Sequence, residues 1–182
     1  MDRRQRKTRE AIFNAFTQLL SQKDFHQITV NEIIEAADIG RATFYAHFET
    51  KDALLQELCQ ELFCHVFDAV DGSHEHHHIF ECEAPESVFE HLFSHLLNND
   101  NQLLRLLSGE NRDAFLPYFT AQLKGLVRQQ ADQFPKPEGV PEDFWFSHIS
   151  AGFIQALVWW QTHGRTHTPA QITEFFIRSV RL

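Results

Sequence analysis

The side chains with the most evident chemistry are histidines and one cysteine. His74, His76, His77 and His78 fall within five positions, with Glu75, Glu81, Cys82 and Glu83 close by, a set of nitrogen, sulfur and oxygen donors of the kind that holds zinc or nickel. Their spacing matches no closed site. Adjacent histidines on an ordinary loop do not converge readily on one ion, and exposed histidine-rich loops bind metals weakly without function. His91 and His95 stand four apart, an interval that can chelate on a helix. The stripe Val88, Phe89, Leu92, Phe93 and Leu96 sets the buried face of that helix, which places His91 nearly opposite its centre and His95 at its flank. Both are therefore expected at the surface, with ligand or metal contact by His95 as the lesser alternative, and no metal site and no cofactor is assigned. Cys82 beside histidines is the one arrangement that resembles a nucleophile. No nucleophile motif, oxyanion-hole glycine run or phosphate loop accompanies it, so catalysis is not expected. The alternative readings are a metal-responsive regulator using the histidine-rich loop and, more remotely, a small helical enzyme with a cysteine nucleophile.

The elements that carry these groups read as helices throughout. From Thr8 to Leu20, the residues Ile12, Phe13, Phe16, Leu19 and Leu20 form one amphipathic stripe. Thr29-Val30-Asn31-Glu32 presents a capping box, and a second helix follows through Ile33, Ile34 and Ala37. After a three-residue interruption at Asp38-Ile39-Gly40, a short third helix runs from Arg41 to Phe48. Two short helices around such a turn are the pattern of a helix-turn-helix. Thr50 caps a fourth helix from Lys51 to about Val70, long enough to connect two parts of the chain. A loop is expected from Asp71 to Pro85, then helices near 86–98, 101–107, 112–134, 142–163 and 169–180, with Pro135, Pro137, Gly139 and Pro141 marking a loop. No strand-like alternation competes.

On the third helix, Phe44 and Phe48 share a narrow wedge and should face the core, which turns Ala42 and Ala46 outward. Small outward residues permit close approach to base edges, where a methyl meets thymine, and Arg41 and Thr43 supply donors to bases or phosphates. The runs Ile28–Ile33, Ala36–Phe48 and Lys51–Leu55 closely resemble the DNA-binding signature of the tetracycline-repressor (TetR) family over about residues 8–55. Asp38 stands where that family usually has Gly, and Gly40 where it usually has Ser; Asp tolerates left-handed geometry and Gly is an acceptable cap. The resemblance implies that Thr29, Tyr45 and Lys51 hold phosphates with His47 close by. It also implies a cytoplasmic regulator of the repressor type that binds a double-stranded operator and a small-molecule effector as a homodimer. The stretch Gly152–Gly164 with Thr168-Pro169 is similar to a subgroup that includes an activator of dihydroxyacetone-kinase genes, without transferring a ligand.

Charge is distributed to match. The net charge of -9 excludes a general nucleic-acid coat protein. Residues 1–51, however, hold 8 Lys/Arg against 7 Asp/Glu, whereas residues 52–182 hold 8 against 18. A basic end with Arg3, Arg4, Arg6, Lys7 and Arg9 on an acidic body suits a selective DNA binder. No secretion signal and no apolar run of membrane-spanning length is present, so no membrane partner is expected. Three cysteines without a CxxC spacing suit a reducing cytoplasm.

The expected architecture is all-α: a three-helix helix-turn-helix domain at about 1–50, and a helical ligand-sensing and dimerisation domain at about 51–182. Phe63, Phe67, Phe89, Phe93, Phe115 and Phe119 are the candidates to line an effector pocket, against the plainer reading that they fill a core. For the dimer, Trp145, Ile149, Gly152, Phe153, Ala156 and Trp160 share one face of a helix that is apolar on other sides too. Ile172, Phe175, Phe176 and Val180 give the last helix a second stripe. Four such helices, two per subunit, would form an isologous bundle in which Gly152 and Ala156 admit the partner closely.

Overall fold

The computed structural model describes residues 3–71, 87–98, 107, 112–164 and 166–181. The histidine-rich stretch 74–78, Cys82 and most of the expected 101–107 helix lie outside them. Among the described residues there are eight α-helices and no strand: α1 (Arg3–Gln22), α2 (Val30–Ala36), α3 (Arg41–His47), α4 (Lys51–Asp71), α5 (Val88–Asn98), α6 (Arg112–Gln129), α7 (Glu142–Thr162) and α8 (Pro169–Val180). None of the described helices is long and apolar enough to cross a membrane.

Local signals start and stop these helices as the sequence dictates. Thr29 caps α2 in a full capping box, its hydroxyl accepting from the Glu32 amide while the Glu32 carboxylate accepts from the Thr29 amide. Thr168 and Gln171 repeat the device at α8, with Pro169 at its first turn. α1 starts at Arg3, five residues before the expected start at Thr8 and nine before Ile12 opens the apolar stripe. α6 stops at Gln129 and a 3-10 turn, 131–133, carries the chain on to buried Phe134.

One apolar cluster joins the two halves. It runs from Ile12, Phe13, Phe44 and Phe48 through Leu54, Leu55 and Leu58 of α4 to Phe153, Trp160 and Phe176. α4 packs on α5 and α6, α7 lies between α6 and α8, and α5 is held between α4 and α8. Aromatic rings fill the centre: Phe153 stacks on Phe93 with centroids 4.3 Å apart and meets Phe89, Phe119 and Phe176 at 5.4–6.5 Å.

This packing revises two expectations. Phe63, Phe89, Phe93, Phe115 and Phe119 are all fully buried, and Phe63 and Phe115 both meet Phe119 ring to ring, so these five are core rather than the walls of an open pocket. The Phe67 side chain lies outside the described residues. Of the residues expected to face a partner, Trp145, Ile149, Phe153, Trp160, Ile172, Phe176 and Val180 are buried within their own chain. The indole N–H groups of Trp145 and Trp160 are satisfied internally, donating to the carbonyls of Phe134 and His167. α7 is apolar on many sides because α6 and α8 of the same chain cover two of them. Gly152 likewise serves its own chain, since a Cβ there would stand 3.0 Å from a Val180 methyl. Of the expected set Ala156 is half-buried and Phe175 is 45% exposed; Trp159, outside that set, is 38% exposed beside them.

Candidate nucleic-acid interface

The turn between α2 and α3 explains why the sequence folds here as it does. Asp38 has φ +51°, the one positive value outside glycine among the described residues. Its amide donates to Glu35 O at 3.2 Å, and the Ile39 amide donates to Ile34 O at 3.2 Å. These paired bonds around a left-handed residue are a Schellman motif, which satisfies the last carbonyls of α2 and redirects the chain. Asp is among the few residues with a side chain that accept this conformation. Gly40, at φ -77° and ψ 151°, then opens α3 without a side-chain cap.

α3 is held by Phe44 and Phe48, both buried, with Phe48 packed edge-on against Phe13 at 5.5 Å. Its opposite face is open: Arg41, Ala42, Tyr45 and Ala46 are exposed, and Thr43 and His47 are partly so. Arg41 is oriented by two contacts. Its Nη1 donates to Asn31 Oδ1 at 3.1 Å, and its guanidinium lies 5.5 Å from the centre of the Tyr45 ring. The arrangement presents a planar guanidinium, a phenol and two methyl groups on one side of a helix, the chemistry that reads base edges and grips phosphates.

Lys51 has a different place from the one the resemblance implies. Its ammonium donates to the carbonyls of Phe25 at 2.8 Å, Ile28 at 2.9 Å and His26 at 3.4 Å, and sits 4.5 Å from the Phe25 ring centre. A lysine has three N–H donors, and here they all face backbone oxygens, so Lys51 fastens the start of α4 to the turn before α2. Thr29 is similarly engaged: beyond its cap, its hydroxyl donates to Glu32 Oε2 at 2.8 Å. Arg9, counted with the basic end, pairs with Glu57 at 2.8 Å and Glu61 at 3.0 Å on α4 and covers the rings of Phe13 and Phe48. These three residues position α3 and α4; Arg3, Arg4, Arg6 and Lys7 remain exposed on the first turns of α1.

Two predictions follow from these contacts. Lys51→Met keeps the stem and removes the ammonium, leaving three carbonyls short of a donor. It should lower stability by about 1–3 kcal/mol and the melting midpoint by several degrees; calorimetry showing an unchanged midpoint would assign Lys51 to solvent. Glu32 accepts from Lys23 first, then from the Thr29 amide and hydroxyl, and its carboxyl is lowered from 4.5 to about 2. A depressed folded-state value adds stability at pH above the unfolded value, which is lost as the pH falls from about 4.5 to about 2. Acid unfolding of Glu32→Gln should therefore show a shallower dependence on pH across that window than the parent chain.

The histidines of α5 overturn their expected placement. His91 is 0% and His95 5% exposed. The amphipathic reading allowed α5 one buried face, whereas α8 covers one side of it and α4 the other. Their rings meet a third, His65 of α4: the His65 centroid lies 5.1 Å from His91 and 4.5 Å from His95. His91 Nε2 and His95 Nε2 are 3.0 Å apart. Burial lowers His95 to about 3, and the neighbouring His65 and His91 push in the same direction. Burial also lowers His91, against a backbone hydrogen bond at Val66. The sequence could not show this cluster, because His65 is distant along the chain and carries no local signal. Cys59, buried on α4, has its thiol pushed up by desolvation and is inert by the same physics.

Comparison with known proteins agrees with this geometry. Residues 12–58 match the family model of bacterial regulatory proteins of the tetR family, and residues 83–181 match a transcriptional-regulator C-terminal region. The crystal structure of a TetR transcriptional regulator from Streptococcus agalactiae is 30% identical and superposes with a TM-score of 0.74, covering 100% of this chain and 97% of that one. An uncharacterised HTH-type regulator of Bacillus subtilis, YxbF, is 27% identical over 98% of this chain and 46% of its own length. The dhaKLM operon activator DhaS of Lactococcus lactis is 33% identical over 34% of this chain and 33% of its own. The chain thus spans less than half the length of these curated relatives.

Proposed function

Because the chain belongs to the tetR family of bacterial regulatory proteins, we propose that it is a cytoplasmic regulator that binds a palindromic operator as a homodimer and changes operator affinity when an effector binds. The observation that carries the reading is α3 itself: Phe44 and Phe48 lock it to the core, and Arg41, Ala42, Tyr45 and Ala46 stand on its open side. Residues 1–50 form the reading unit and residues 51–182 the sensing and dimerising unit in this proposal. Arg41 and Thr43 address bases or phosphates, Ala42 meets base edges, and Tyr45 and His47 address the phosphate backbone. Thr29 and Lys51 act by positioning those groups.

Two physical features support dimerisation and response. An apolar groove between α7 and α8 is lined by Gly152, Gln155, Ala156, Trp159, Phe175 and Ser179, and its exposed aromatic rings are of the type that anchors interfaces. A two-fold pair would set two α3 helices about 34 Å apart or further, one per half-site. α4 begins beside the reading unit at Lys51 and continues into the aromatic core, so a shift of its far end is felt at its near end.

The roles assigned to Arg41 and Lys51 differ and can be separated with a duplex that the protein enriches from a random-sequence pool. Arg41→Ala should reduce discrimination between that duplex and a scrambled one by about 1–3 kcal/mol, roughly tenfold or more. Lys51→Met should weaken both duplexes alike and leave the salt slope unchanged, since its ammonium faces carbonyls. Undiminished discrimination by Arg41→Ala would remove Arg41 from base reading.

A further inference from the structure

We propose that His65, His91 and His95 form a binding site for a divalent transition-metal ion, and that this ion is an effector of the regulator. The effector role rests on the regulatory reading above; the metal site does not. One ring nitrogen from each histidine lies within 4.8 Å of the others. Zinc–imidazole bonds of about 2.0–2.1 Å place tetrahedral ligands roughly 3.4 Å apart. The 3.0 Å between His91 Nε2 and His95 Nε2 is already close to that, and small ring rotations bring His65 into register. His91 and His95 lie one helical turn apart on α5, and α4 supplies the third donor, so the site spans two helices that pack on each other.

The chemistry favours a metal over a simple hydrogen-bonded cluster. His65 packs edge to face on both His91 and His95, and the latter two are buried, so the three rings meet away from bulk solvent. Imidazole donors select zinc, copper, nickel or iron(II) over magnesium and calcium, and three of them leave a fourth position for water or an exchangeable ligand. An ion bound here would tie α4 to α5. α4 also carries Lys51 at its other end, so the tie would fix the height and tilt of the helix that supports the reading unit.

The test uses the full chain, freed of metal by a chelator and titrated with Co²⁺ and Zn²⁺. Because the 74–78 histidines also attract metal, a variant with His74, His76, His77 and His78 all replaced by Ala is titrated beside the parent. Both should bind one Co²⁺ per chain with the visible absorption of a tetrahedral nitrogen site, and zinc should displace it. His65→Ala, at a half-buried position that tolerates truncation, and His95→Gln should each weaken binding at least a hundredfold while circular dichroism stays helical. If His95→Gln unfolds, His65→Ala alone decides. No tight binding by the parent, or binding lost in the loop variant and kept in His65→Ala, overturns the site. Operator affinity is read separately on the enriched duplex. A change of fivefold or more on adding zinc to the loop variant supports the effector role. A bound metal with unchanged affinity overturns that role and leaves the site standing, and a chain that binds metal but selects no duplex overturns the regulatory reading instead.

Discussion

Replacing Trp159 and Phe175 together by Glu is expected to halve the sedimenting mass, from about twice 21.3 kDa to 21.3 kDa, and to abolish tight operator binding. Both side chains are exposed in the isolated chain, 38% and 45% respectively, and their rings meet at 6.5 Å across the groove between α7 and α8. Charging them leaves the core untouched, so the variant should stay folded and soluble. In a two-fold interface each substitution occurs twice. At about 2 kcal/mol for each lost aromatic anchor, the pair removes roughly 8 kcal/mol, more than enough to dissociate a micromolar dimer. Substituting Phe176 would not test the same point, since Phe176 is 1% exposed and packs on Phe89, Phe134 and Phe153. A double variant that still sediments at twice the chain mass would move the interface elsewhere.

Phe153→Ala should be the most damaging single truncation of the regulatory core. Its ring is fully buried and contacts those of Phe89, Phe93, Phe119 and Phe176, which come from α5, α6 and α8. Removing it opens a cavity that rigid aromatic neighbours cannot close, at a cost of about 3–5 kcal/mol. For a chain of this length that is a fall of roughly 10 °C in the melting midpoint. Phe153→Leu, which keeps most of the volume, should recover more than half of the loss. Calorimetry finding the Ala variant within about 2 °C of the parent would mean that the ring is not a keystone of the core.

What could be read in advance depended on whether a feature was local. The α2 capping box is a four-residue pattern, and the structure forms it bond for bond. Phe44 with Phe48 as the buried pair of α3 follows from the 3.6-residue period alone, whereas left-handed geometry at Asp38 was legible through the resemblance, where the family has Gly, and through the tolerance of Asp for that conformation. Features that depend on neighbours distant in sequence were hidden. By its own pattern α5 is a surface helix with one wet face, and its burial between α4 and α8 draws His91 and His95 inward to meet His65. α7 is apolar nearly all round, which is equally the mark of an interface helix and of one packed within its own chain. Val180 lying against Gly152 decides for the chain's own α8 at that point. Lys51 could not be told from a phosphate-binding lysine until the carbonyls of Phe25 and Ile28 were seen around it.

Sequence-selective binding to DNA is the centre of the account, and enrichment of a random duplex pool by the purified chain, followed by sequencing, tests it most directly. The account predicts a motif with dyad symmetry, its half-sites centred about 10 base pairs apart or further, and its enrichment lost in Arg41→Ala. A folded, dimeric protein that leaves the pool unchanged, or an Arg41→Ala variant that enriches the same motif equally well, would contradict it.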